Sequence, residues 1–149
     1  MKNLFDRESV SEILDRINNL QPASAAHWGK MNVAQMLAHC SAAMDMASGQ
    51  LNIPRVFLGR ILGPFVKSIY TNEKPFSKNS PTAKELLSAN PAEFSREQQL
   101  LCAKVQEFFA GGEARCTRHP HPFFGPLTPT EWSRGCYKHL DHHLRQFGV

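Results

Sequence analysis

No stretch of this chain approaches the roughly 18 consecutive apolar residues that cross a bilayer, and Met1 to Val10 carries acidic and polar residues where a secretion signal needs its apolar run. These absences predict a soluble, cytoplasmic protein. Cys40, Cys102, Cys116 and Cys136 form no CxxC pair, which excludes a zinc knuckle or redox dithiol and leaves reduced, mostly buried thiols. Apolar/polar alternation of useful length is missing, as is any internal repeat, so neither strands nor a solenoid are expected. Low complexity is missing too. With 42% hydrophobic and 20% charged residues, and ten Pro and nine Gly acting as punctuation, the chain is neither a disordered polyelectrolyte nor a coiled coil. Its 149 residues make one domain, 1–149.

The excess of positive charge is small: 17 Lys and Arg against 13 Asp and Glu leave +4. The basic residues are scattered and not interleaved with aromatics, which argues against a nucleic-acid partner. Histidine is what is concentrated, with five of the seven between 119 and 143.

Four amphipathic helices are legible. Ser9-Val-Ser-Glu12 reads as a capping box before Val10, Ile13, Leu14, Ile17 and Leu20, closed by Pro22. Asn32 and Gln35 offer a second box, followed by Val33, Met36, Leu37, Cys40, Met44 and Ala47 before Gly49. Asn90-Pro91-Ala92-Glu93 opens a third helix with Phe94, Leu101, Val105 and Phe108 as its stripe and Gly111-Gly112 as its end. Thr128-Pro129-Thr130-Glu131 opens the last, which runs nearly to Val149. Residues 53–70 are apolar and helical in tendency, but Gly63-Pro64 predicts a break or kink, so they read as a packed insertion whose exposed apolar surface suits a homodimer contact or a lid. Thr71 to Asn90 reads as a long surface connection with one helical turn around Ala83 to Leu87 and nothing catalytic. The sum is an all-α four-helix bundle with a long, partly helical crossover between the second and third bundle helices.

The chemistry concentrates on the last helix. With Trp132 at zero on a helical wheel, Cys136, His143, His139 and Phe147 fall within about 60° of it, whereas Arg134, Lys138, Asp141 and Arg145 cluster opposite. Two histidines thus sit inside an apolar stripe at i, i+4 spacing, which lets two imidazoles converge on one ion. A divalent metal would satisfy one nitrogen of each buried ring, although HxxxH alone also fits a hydrogen-bonded core pair. A third ligand must come from elsewhere. His39 lies at the shoulder of the second helix's stripe, roughly 100° from its centre, and periodicity permits it without requiring it. His119 and His121, in a His-Pro-His loop, are rivals, and His142 lies off the inward face.

The segments Trp28-Gly-Lys-Met31, Gln35-Met-Leu-Ala-His39, His121-Pro-Phe-Phe-Gly-Pro-Leu-Thr128 and Tyr137-Lys-His-Leu-Asp-His-His-Leu-Arg-Gln146 resemble the DinB-like superfamily, in particular a bacterial branch of about this size. The resemblance covers essentially the whole chain, and the His-x-x-x-His-x-x-Gln ending is its most specific part. It implies a four-helix bundle of DinB-like type and a divalent ion held by three His, one from the second bundle helix and two from the fourth. At the matching positions these are His39, His139 and His143. Members of the wider superfamily with assigned activities resemble thiol-cofactor transferases, isomerases and related metal-dependent enzymes.

Three neutral His leave a coordination position open, as in catalytic zinc sites, so water or a thiol can be activated for hydrolysis or thiol transfer on a small substrate. His142 or His121 would carry the proton, and Gln146 would orient a ligand or bond a metal-bound group. An all-imidazole site suits Zn or Ni foremost, then Fe or Cu. The competing expectation is a non-catalytic bundle in which the metal pins the second helix to the fourth.

Overall fold

Helix starts in this chain are written by side chains that catch free amides. The computed structural model describes residues 1–80, 84–87 and 93–149. Two starts are reciprocal capping boxes: Asn32 Oδ1 accepts from the Gln35 amide while Gln35 Oε1 accepts from the Asn32 amide, both at 2.9 Å, and Thr128 and Glu131 repeat the exchange. They open α2 (Val33–Ser48) and α5 (Pro129–Gln146), and Gly49 closes α2 in the left-handed region at φ 80°. The first helix, α1 (Arg7–Asn19), starts earlier than Ser9 predicts. Asp6 is its cap, accepting from both the amide and the hydroxyl of Ser9, because a carboxylate both bonds the amide and opposes the positive end of the helix dipole. The third bundle helix, α4 (Phe94–Gly111), is capped by Glu93, which accepts from the Ser95 and Arg96 amides. The start expected at Asn90-Pro91 lies outside the described residues.

Where Gly63-Pro64 predicts a break, α3 (Phe57–Thr71) runs through unbroken. The carbonyl that loses its amide to Pro64 is that of Arg60, and both residues are exposed, so water can satisfy it. Including α3, five α-helices and no strand are present among the described residues. A short 3-10 turn, Lys84–Leu86, stands between α3 and α4, and His121 and Gly125 form an isolated antiparallel bridge before α5.

Helices α1 and α2 each pack against both α4 and α5, which closes a ring of four around Ile13, Ile17, Met36, Leu37, Leu101, Trp132 and Leu140. α3 lies outside that ring, against α5. Its seat is made by glycine: a Cβ on Gly63 would stand 2.2 Å from the Phe123 carbonyl oxygen, and one on Gly59 2.6 Å from Phe123 Cα. The Lys138 ammonium holds its far end, donating to the Ile69 and Asn72 carbonyls and to Asn72 Oδ1. The crossover from α2 to α4 therefore carries α3 and the Lys84–Leu86 turn, as a partly helical link should. No helix among the described residues is long and apolar enough to cross a membrane. All four cysteines are free, and burial pushes Cys116 up to about 11 and Cys136 up to about 12, so both remain thiols.

Candidate metal centre

α2 delivers His39 and α5 delivers His139 and His143 to one point between them. One ligand atom from each of the three rings lies within 4.8 Å of the others, and His39 Nε2 and His139 Nε2 are 2.9 Å apart. Two nitrogens bound to one ion at ~2.0–2.1 Å can be no more than about 4 Å apart, so the closest pair is already within that reach. His39 and His143 are buried, and His139 is of intermediate exposure as a whole residue.

Two of the three rings have their tautomer set by a neighbour. His39 Nδ1–H donates to the Leu86 carbonyl at 3.1 Å, which leaves the lone pair on Nε2. His143 Nδ1–H donates to Gln146 Oε1 at 2.8 Å, and the Gln146 amide donates to the Trp28 carbonyl. A carbonyl can only accept, so the Trp28 contact fixes which end of the Gln146 amide faces His143. With the His39 proton on Nδ1, the short contact between the two rings is His139 Nε2–H donating to His39 Nε2. Moving that proton to Nδ1 turns the third lone pair to the same point.

Burial keeps the cluster neutral. It pushes His143 down to about 3, with His39 and His142 adding to the shift and Gln146 opposing it. His139 is held well below the ordinary imidazole range by burial and then by His143 and His39, and His39 is lowered chiefly by burial. The three-histidine cluster could therefore hold a metal ion without first losing protons to water at neutral pH.

The remaining expected site residues fall in three different settings. Gln146 is buried with both ends of its amide engaged, its Oε1 by His143 Nδ1 and its amide nitrogen by the Trp28 carbonyl. His142 stands on the neighbouring face of α5, its ring 5.1 Å from that of His143 and edge-on to Trp28. It lines a shallow cleft of about 150 Å³ with Trp28, Phe76, Lys78 and Arg145. Burial lowers its pKa and Asp141 opposes that. His121 packs among Tyr70, Phe124 and Trp132, and its Nδ1 accepts from the Phe123 and Phe124 amides at 3.1 and 3.2 Å. Burial, with Arg55 nearby, takes it down to about 4.

The sequence profile described as "Protein of unknown function (DUF1569)" matches residues 2–148. This chain belongs to the DUF1569 family. No curated protein and no solved structure matches it. In this DUF1569 chain the backbone carbonyls behind His39 and Gln146 are what residue patterns miss. The Leu86 carbonyl comes from the connection expected to hold nothing catalytic. The Trp28 carbonyl comes from a loop whose one signal is Gly29, left-handed at φ 83° and placed so that a Cβ would lie 2.5 Å from Gln146 Nε2.

Proposed function

We propose that this protein is a metal-dependent enzyme of the DinB-like kind, in which His39, His139 and His143 hold a divalent ion that activates water or a thiol on a small-molecule substrate. The observation that carries the proposal is the outer layer of the cluster: Leu86 and Gln146 orient two of three converging imidazoles, as the partners of metal-bound histidines do. The donor set fits the group. It is all imidazole with no carboxylate, which suits Zn, Ni, Fe or Cu and disfavours Mg and Ca. When bound, such an ion supplies a Lewis acid with open positions that draws down the pKa of water or a thiol.

The chain supplies the rest. His39 and His143 are locked and buried, and a substrate would approach from the side of His139, the least enclosed of the three residues. His142, half-buried beside the cleft, is the proton carrier of this reading, because it borders both the cluster and solvent. His121 at about 4 is uncharged at neutral pH, and its Nδ1 serves the 121–125 turn. Its role here is to hold that turn against α3 and α5.

The burial of His39 and His143 favours a second reading, in which the ion only pins α2 to α5. Titration with Zn and Ni, followed by Co substitution, separates the possibilities. One ion per wild-type chain and none in His139→Ala supports the ligand set, and undiminished binding in His139→Ala overturns it. A change in the visible Co spectrum on adding a small thiol, together with metal-dependent turnover in a hydrolysis and thiol-transfer panel, supports the enzyme. A bound Co that no added ligand perturbs supports the structural ion.

A further inference from the structure

α3 has two apolar faces, and only one of them is used. Gly59, Gly63 and Tyr70 turn inward, onto the Phe123 backbone and α5. The other face is bare among the described residues. Of the ten large apolar side chains exposed among the described residues, seven lie between Val56 and Ile69, and Phe57 and Phe65 are 78% and 82% exposed. With Phe57 at zero on a wheel, Ile61, Phe65, Leu58, Ile69 and Leu62 fall at about 40°, 80°, 100°, 120° and 140°, so the exposed residues form one continuous face. Phe57, Ile61, Phe65 and Ile69 are a single i, i+4 ridge, the kind that interdigitates with its own copy.

Area and charge decide what covers it. At ~150–200 Å² for each whole side chain, the exposed fractions offer on the order of 700 Å², and two copies face to face would bury about 1,400 Å², inside the range of specific interfaces. No charge lies in the stripe. The cations of α3 are Arg60 and Lys67, at about 140–160° from its centre, and Lys67 is paired with Glu131 at 2.7 Å. A helix lying on an anionic bilayer needs basic residues flanking its apolar face, and these flank the opposite one.

We propose that the exposed face of α3 is the contact of a two-fold homodimer, packed antiparallel on Phe57, Ile61, Phe65 and Ile69 of each chain. The self-complementary ridge forms a closed, isologous interface, which covers the apolar surface without inviting open-ended assembly. Because the inward face of the same helix seats the 121–125 turn, pairing would also stiffen the outer wall beside α5.

Sedimentation velocity of the full chain up to about 100 μM tests this, with a species of twice the 16.8 kDa chain mass expected. Phe65→Glu should weaken the dimer at least tenfold while helix content and thermal unfolding of the monomer persist, since the side chain makes little contact within its own chain. Phe57→Glu gives the same reading at the other end of the ridge if Phe65→Glu does not fold. A wild-type chain that sediments as a monomer throughout overturns the proposal, as does a trimer or larger closed form. Dimers retained in both folded variants overturn it as well. A monomer that co-sediments with phosphatidylcholine/phosphatidylglycerol vesicles, and loses them in Phe65→Glu, replaces the second copy with a bilayer.

Discussion

Gln146 accepts the Nδ1 proton of His143 at 2.8 Å while its own amide donates to the Trp28 carbonyl, so a loop ahead of α2 determines which nitrogen of a histidine on α5 faces His39. Removing that acceptor should lower metal affinity without removing a ligand. Gln146→Ala is expected to weaken Zn or Ni binding about 10–100-fold, read by competition with a chelator of known affinity, with helix content unchanged. Affinity equal to the wild type would show that His143 needs no orienting partner.

Acid should unfold the chelator-treated protein early. His121 sits at about 4 in the folded chain against an ordinary 6.5, so between those values the unfolded chain binds more protons. Its contribution is fully present above about pH 6.5 and is lost as pH falls toward 4. The lowered pKa values of His39, His139 and His143 act with the same sign. Denaturant unfolding at a series of pH values should show stability falling across this window. The slope should be shallower by up to one proton in His121→Asn, which does not titrate.

The seat of α3 predicts an intolerance of a single methyl group. Gly63→Ala would drive a Cβ into the Phe123 carbonyl oxygen, which is backbone and cannot rotate away, so a loss of about 1–3 kcal/mol is expected by chemical denaturation. Unchanged stability would mean that the 121–125 turn can lift off α3.

Lys138 gives the companion test at the other end of the same helix. Its ammonium serves two carbonyls and one amide oxygen while almost fully buried, and Lys138→Met keeps the stem but strands those acceptors. A loss of about 1–3 kcal/mol is expected, with hydrogen exchange rising first near Ile69 to Asn72. Exchange that rises uniformly instead would deny Lys138 a local role.

What could be read from residue order divides along physical lines. His139 and His143 were legible because one helix of strong amphipathic pattern carries both, and Arg134, Lys138, Asp141 and Arg145 define the side opposite them. His39 was ambiguous because α2 packs against both α4 and α5, so its buried surface wraps most of the helix and a wheel has no sharp centre to measure from. The Asn32 and Thr128 caps were legible because both partners lie three residues apart. The true cap of α1 was misplaced by one turn because Ser9 satisfies the same pattern while serving Asp6. The continuity of α3 was hidden because Gly63, read as a breaker, is spent on close approach to another segment.

The contact between His39 and the Leu86 carbonyl has a consequence for how this protein tolerates change. Every amino acid carries that oxygen, so substitution at the exposed Glu85 and Leu87 should be nearly silent at the cluster and substitution at Leu86 should act only through its packing on the core, whereas deleting one residue from the link would carry the oxygen away from the ring. The link constrains the centre through its length rather than its composition.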